Sequence, residues 1–148
     1  MVSLYDGTAK VQEISVMCMF RNDASYIETF FVPAMENMEK QYDVVFNYYV
    51  IENNSTDNTR ELLKAFFKEK SSKSKLLLFQ LKTDFQNIGN GKNYERLHNL
   101  ANIRNRLVNT VTPLNSEWCL FVDSNIYFKP TILEEMFQHV SSDIGMMT

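Results

Sequence analysis

An acidic residue and an amide residue, Asp123 and Asn125, directly follow an apolar run over residues 118–122. A short unbroken apolar run is typical of a strand buried on both faces, as in the middle of a parallel sheet. Ligands of open α/β sheets bind outside the carboxyl ends of such strands. The two oxygen-bearing side chains therefore predict a site for a hard divalent cation, Mg²⁺, Mn²⁺ or Ca²⁺, that carries a diphosphate. The alternative is a plain turn at a strand end, since Asp, Ser and Asn all favour turns.

A single arginine, Arg104, falls in the middle of an apolar stripe on a predicted helix over residues 94–111. The stripe, at about 100° per residue, consists of Leu97, Leu100, Ala101, Leu107, Val108 and Val111. An arginine that meets a core needs an anion or a carboxylate beside it. One interpretation is an internal salt bridge to Asp123 or Glu52, and the other is an arginine at a crevice edge that binds phosphate or carboxylate. Both hold if the arginine rests on a carboxylate until a ligand arrives.

The three other predicted strands also end in polar residues. These are Arg21, Asn22 and Asp23 after the first strand, segment 52–57 after the second, and Asp84 after the third. Because parallel strands place their carboxyl ends on one edge of a sheet, four polar strand ends predict a binding crevice at that edge.

Strands and helices alternate along the chain. The predicted strands cover residues 14–20, 44–51, 75–81 and 118–122, with a fifth at 144–147. Four helices are predicted, over residues 25–40, in a segment capped by Asn58, over residues 94–111, and in a segment capped by Thr131. Within the first of them, Pro33 marks either a kink or the start of the helix. This alternation predicts an α/β fold, a mostly parallel sheet with helices on both faces, as a single domain over residues 1–148.

Composition excludes several classes of protein. Of 148 residues, 45% are hydrophobic and 22% charged, which is typical of a globular domain, and the net charge of −3 predicts no nucleic-acid partner. No apolar segment is long enough to span a membrane, and the first residues do not form a signal peptide. Cys18 and Cys119 lie in apolar strands, which favours buried free thiols, a reducing compartment and a cytosolic protein. The glycine patterns of dinucleotide-binding folds and P-loop enzymes are missing from the sequence.

Four motifs in this order resemble the GT-A glycosyltransferases, and in particular the family 2 pattern. They are ISVMCMFRN at residues 14–22, ENNSTDNT at 52–59, LANIRN at 100–105 and LFVDSN at 120–125. The second and third motifs are also similar to those of fungal capsule-associated and mannan-synthesising mannosyltransferases. The resemblance covers residues 14–137 and implies a GT-A-like sheet that binds a nucleotide-diphosphate sugar.

The resemblance also implies roles for individual residues. The first strand end together with Glu52 and Asn54 would hold the base and ribose, and Arg104 would contact the diphosphate or nearby carboxylates. Asp123 and Asn125 would bind Mn²⁺ or Mg²⁺, a cation that stabilises the departing nucleoside diphosphate. The full set expected to bind the nucleotide-sugar is Phe20, Arg21, Asn22, Glu52, Asn54, Asp57, Asp84, Arg104, Asp123 and Ser124.

Two features depart from the family pattern. Asn125 replaces the second acid of the D-x-D motif, so the metal ligand there is uncharged. The acceptor-binding half and the catalytic base are expected after residue 148, so no catalytic residue is predicted.

The sequence thus predicts a cytosolic, metal-dependent glycosyltransferase, as in bacteria or large DNA viruses. The first candidate for its donor is a UDP-sugar and the second is GDP-mannose. Its acceptor would be a glycan or glycoprotein. The alternatives are a non-catalytic sugar-nucleotide-binding domain and an α/β protein that binds another phosphorylated ligand.

Overall fold

A computed structural model of the protein describes residues 1–70, 73–79, 94–111 and 117–140. Four strands in these ranges are β1 (Glu13–Phe20), β2 (Val45–Asn53), β3 (Lys75–Phe79) and β4 (Trp118–Asp123). They are all parallel and form one sheet in the order β3-β2-β1-β4. The predicted α/β class with a parallel sheet is confirmed, and β2 continues two residues past its predicted end.

The helices agree with the predicted positions. They are α1 (Ala24–Tyr26), a π-helical turn (Ile27–Phe31), α2 (Val32–Gln41), α3 (Thr59–Phe67), α4 (Tyr94–Val111) and α5 (Ile132–Gln138). Pro33 lies in the first turn of α2, which is one of its two predicted positions, and the π-helical turn joins α2 to α1 without a break in the helical backbone. The predicted fifth strand lies outside the described residues. In the described ranges, no helix combines the length and the apolar composition that a membrane span requires.

Both predicted helix caps are wrong in their chemistry. Asn58 and Thr131 occupy the N-cap positions of α3 and α5, but neither side chain makes a capping hydrogen bond. Their backbones are close to helical, whereas a capping side chain needs an extended backbone to reach back to the first N–H groups. At α3 the Asp57 carboxylate accepts a hydrogen bond from the N–H of Thr59 instead, at 3.0 Å.

Side chains alternate between the two faces of the sheet, and each face has its own core. On one face, Val16, Cys18 and Val50 pack with buried side chains of α2, α3 and α5. On the other face, Met17, Tyr49 and Ile51 pack beneath Ile103 and Leu107 of α4. Helices therefore cover both faces of the sheet, as predicted.

Helix α4 contacts the sheet along a narrower line than its sequence predicts. Ile103 and Leu107 are buried, whereas Leu97, Ala101 and Val108 of the predicted stripe are exposed. Arg104 lies beside this line rather than in the core. Cys119 lies on the side of the sheet that α4 covers and is exposed. The prediction of two buried thiols is therefore confirmed for Cys18 alone.

Candidate functional site

A crevice of about 620 Å³ opens at the carboxyl ends of β1 and β4. The chain runs outward from β1 through β2 to β3 and then returns through α4 to β4, so the strand order reverses between β1 and β4. Such a reversal is where open α/β sheets bind ligands. The lining residues are Met19, Phe20, Arg21, Asp23, Asn53, Leu100, Ile103, Arg104, Asp123, Ser124 and Asn125.

Arg104 and Asp123 form an ion pair inside this crevice. Nη2 of Arg104 lies 2.8 Å from Oδ1 of Asp123, and the two side chains are 49% and 45% exposed. The guanidinium also lies 5.8 Å from the centre of the Phe121 ring on the same face of the sheet. Both sequence interpretations of Arg104 therefore describe part of the geometry, since the arginine is paired with a carboxylate and is open to the crevice.

The segment after β4 forms a turn that carries two more lining residues. The N–H of Ile126 donates to the carbonyl of Asp123 at 3.2 Å, and Ser124 and Asn125 are the two central residues of this turn. The Tyr26 hydroxyl donates to the Ile126 carbonyl at 2.6 Å, with the Asp123 carbonyl at 3.4 Å as a second acceptor. Asn125 is exposed, so its amide oxygen faces solvent or a ligand.

The loop after β1 supplies an acid that the predicted site did not include. Asp23 lines the crevice and accepts a hydrogen bond from the N–H of Arg21 at 2.8 Å. Burial, with a smaller contribution from the nearby Asp57 carboxylate, raises the pKa of Asp23. The signal was present in the sequence, because Asp23 ends the same polar cluster as Arg21 and Asn22.

Two of the three predicted residues at the second strand end, Glu52 and Asp57, make structural contacts. Glu52 is fully buried, and its two carboxylate oxygens accept from the N–H of Ser55 at 2.6 Å and from Nε of Arg60 at 2.7 Å. Asp57 accepts from the N–H groups of Ala24 and Thr59. Asn54 takes a left-handed backbone conformation with φ of 55°.

Neither these three residues nor Asn22 belongs to the described crevice lining. Asn22, also at φ of 55°, accepts from the N–H of Thr56 at 2.8 Å and joins the β1 and β2 loops. Phe20, Arg21, Arg104, Asp123, Ser124 and Asn125 are brought together in the crevice, and Asp84 lies outside the described residues.

Asn53, rather than Glu52 or Asn54, is the residue of the β2 end that lines the crevice. It is 6% exposed and lines the crevice, and its Oδ1 atom has no hydrogen-bond partner among the described residues. The alternation of strand side chains explains the exchange, because Glu52 faces the α2 and α3 side whereas Asn53 shares the α4 side with Ile51 and Met19. A strand that extends to residue 53 places the Asn53 side chain, by this alternation, on the side of the sheet that carries the crevice.

The crevice offers oxygen donors to a cation. The carboxylates of Asp23 and Asp123 and the amide oxygen of Asn125 match the preference of Mg²⁺ and Mn²⁺ for oxygen ligands. The part of the chain that the structure describes has no group of three or more His, Cys, Asp or Glu side chains that could hold a metal. The two carboxylates match the usual Mg²⁺ site, in which one or two carboxylates bind the cation and ligand phosphates and water complete its shell.

No protein-family model matches the chain, and no curated protein sequence does. Among solved structures it is similar to S. aureus TarS 1–349, with 20% identity and a TM-score of 0.47 over 84% of this chain and 31% of that chain. The same fragment in complex with UDP-GlcNAc and in complex with UDP gives 21% identity and a TM-score of 0.48 over 84% of this chain and 30% of those chains. The chain spans less than a third of the length of these structures.

Proposed function

We propose that the chain is the nucleotide-sugar-binding part of a glycosyltransferase, with a UDP-sugar as the first candidate donor and GDP-mannose as the second. The observation that carries the proposal is the Arg104–Asp123 pair in a crevice at the point where the strand order reverses. A guanidinium suits phosphate, and the carboxylate beside it suits the cation that accompanies a diphosphate. The motifs of the GT-A family lie at these same residues.

The two sides of the pair separate when the donor binds. Arg104 would exchange one anion, the Asp123 carboxylate, for another, a phosphate of the donor, and Asp123 and Asn125 would hold Mn²⁺ or Mg²⁺. When bound, the cation neutralises the charge that develops on the departing nucleoside diphosphate. The acceptor, a glycan or glycoprotein, and a cytosolic location stay predictions.

Asn53 supports a nucleotide as the occupant of the crevice. A buried amide oxygen without a partner is costly, and an N–H donor from a ligand removes the cost. Uracil and guanine both present a ring N–H. Asn53→Ala should weaken the binding of UDP and GDP by about tenfold, the equivalent of a typical hydrogen bond of about 1.4 kcal/mol. Adenosine diphosphate, whose base has an exocyclic amino group but no ring N–H, is the comparison ligand and distinguishes a ring N–H contact from a contact to an amino group.

Thermal unfolding with UDP-, GDP- and dTDP-sugars, each with Mn²⁺ and with EDTA, tests the proposal. A ligand at 100 times its dissociation constant stabilises a protein by about 2.7 kcal/mol, which is a measurable shift. We expect a shift for one nucleotide that disappears in EDTA and in Asp123→Ala. The matched control is Asp43→Ala, because Asp43 also pairs with a cationic side chain, Lys10, but does not belong to the crevice lining. No shift with any nucleotide refutes the proposal.

Asn125 favours a second candidate, a domain that binds the sugar nucleotide without transferring the sugar. An uncharged amide holds the cation less strongly than the carboxylate usual at this position of the resembled family. In this case the nucleotide-dependent shift persists, whereas release of free nucleoside diphosphate from the bound donor does not exceed the rate without protein. Asn125→Asp should then tighten Mn²⁺ binding in the presence of the nucleotide.

A further inference from the structure

Tyr26 is a buried tyrosine that contacts the backbone of the turn after β4 but does not line the crevice. Its side chain is 7% exposed, and it comes from the last residue of α1, immediately before the π-helical turn. Its hydroxyl meets a turn that lies 100 residues further along the chain. A π-helical turn changes the direction in which the following side chains point, and such turns are frequent near functional sites.

The hydroxyl contacts both ends of the turn after β4. It donates to the Ile126 carbonyl at 2.6 Å, and the Asp123 carbonyl lies 3.4 Å away. The turn's own backbone hydrogen bond joins the same two residues, Ile126 and Asp123, at 3.2 Å. The two residues between them, Ser124 and Asn125, are the ones that line the crevice. A hydroxyl that donates to one end of a four-residue turn and lies close to the carbonyl at its other end restricts the two residues at its centre.

The ring of Tyr26 is fixed by its neighbours. Phe30 and Tyr127 lie with ring centres 5.4 and 5.3 Å away, and Phe20 lies at 6.3 Å. Tyr127 follows the turn directly, so the packing and the hydrogen bond act on the same segment. Burial raises the pKa of Tyr26 well above its usual value, so the hydroxyl keeps its proton at neutral pH.

We propose that Tyr26 is a positioning residue of the crevice, which orders the Asp123–Ile126 turn before any ligand binds. This inference rests on the proposed function, because it assigns the ordered turn to nucleotide and cation binding. Preorganisation of this kind lowers the cost of ordering the site on binding. Removal of the hydroxyl leaves the ligand contacts in place and weakens the affinity by the cost of ordering the turn.

Two measurements on Tyr26→Phe test the inference, with Tyr42→Phe as the matched control. The Tyr42 hydroxyl also donates to a backbone carbonyl after β4, that of Pro130 at 2.9 Å, but this acceptor lies beyond the turn. In the absence of ligand, hydrogen exchange of the Ile126 N–H should be faster in Tyr26→Phe and unchanged in Tyr42→Phe. Isothermal titration with UDP and Mn²⁺ should give about fivefold weaker binding for Tyr26→Phe, the equivalent of about 1 kcal/mol. Tyr42→Phe should bind like the wild type.

Each result separates the inference from the function on which it rests. Unchanged exchange in Tyr26→Phe means that the turn holds itself, and it overturns the inference. Faster exchange with unchanged UDP affinity overturns it too, because the hydroxyl then has a structural role alone. If the wild type binds neither UDP, GDP nor Mn²⁺, the proposed function is refuted, and the positioning role is refuted with it. A loss of affinity in Tyr42→Phe equal to that in Tyr26→Phe shows a general effect of stability and also contradicts the inference.

Discussion

Replacement of Arg104 by glutamine should change the affinities for the cation and for the nucleotide in opposite directions. In the ligand-free protein, Arg104 engages the same Asp123 carboxylate that the proposed function assigns to the cation. Its loss removes a competitor for Mn²⁺ and at the same time removes a contact to the diphosphate. A residue that served only the fold would not separate the two affinities.

The geometry sets the size of each effect. Two unit charges at about 4 Å attract by about 4 kcal/mol at an effective dielectric constant of 20 and by about 1 kcal/mol in water. Both side chains are about half exposed, so the attraction is close to the value of about 1 kcal/mol in water. Exposed ion pairs contribute roughly 0.2–1 kcal/mol, which agrees with this value. Mn²⁺ alone should then bind up to about fivefold more tightly to Arg104→Gln. A charge-assisted hydrogen bond contributes about 1.5–3 kcal/mol, so UDP with Mn²⁺ should bind more weakly by about tenfold to a hundredfold.

Isothermal titration of each variant with Mn²⁺ alone and then with UDP in excess Mn²⁺ measures both quantities. Arg106→Gln is the control, because it makes the same charge change two residues along α4 and does not belong to the crevice lining. If Mn²⁺ binds no more tightly to Arg104→Gln than to Arg106→Gln, the competition at Asp123 is wrong. If the UDP affinities of the two variants are equal, Arg104 is not a phosphate ligand.

Three further predictions concern stability, conformation and pH. Arg60→Met should lower the free energy of unfolding in urea by about 3 kcal/mol, because it leaves the Glu52 carboxylate buried without its cation, and adding Glu52→Gln should restore part of it. Asn54→Gly should keep both the free energy of unfolding and the UDP affinity, because glycine adopts a positive φ without strain. Asn54→Ala should lower the free energy of unfolding by about 1 kcal/mol, because alanine is strained at this φ. A loss of UDP affinity in Asn54→Gly would instead identify the Asn54 amide as a ligand. Hydrogen bonds from the side chain of Thr8 and from neighbouring N–H groups lower the pKa of Asp6 to about 2, so its contribution to stability is present above the pKa of the unfolded chain and is lost as pH falls from about 4 to about 2. In Asp6→Asn the urea midpoint should fall less over this interval, and an equal fall would contradict the assignment.

The sheet was predictable because its signals are local. Each strand is a run of apolar residues closed by a polar cluster, and this pattern gave all four described strands within a few residues. The crevice followed from the strand ends, since parallel strands bring those ends to one edge. Arg104 was found because a charge inside an apolar stripe conflicts with the helix pattern. The pairing with Asp123, one of its two suggested partners, depends on the strand order.

The errors arose where one residue of strand register or one helix face decides the result. Glu52 and Asn53 are adjacent and equally polar, and the end of β2 alone determines which of them enters the crevice. The buried line of α4 was overestimated because apolar residues also lie on its exposed side. Tyr26 could not be found from the sequence, because its role depends on the turn of the chain that precedes α2 and on a contact 100 residues away.

The central position of β1 has a consequence for the order in which the protein folds. β1 pairs on one side with β2, which follows closely in the chain, and on the other side with β4, whose residues lie about a hundred positions away. Closing the longer loop between β1 and β4 costs more chain entropy than closing the loop between β1 and β2, so we expect β4 to pair after the β1–β2–β3 part of the sheet. At that stage the chain already has most of its core on the α2 and α3 side but only one wall of the crevice. The site would therefore be among the last features to form, and a ligand that bridges the ends of β1 and β4 would act on the final closing step of the fold.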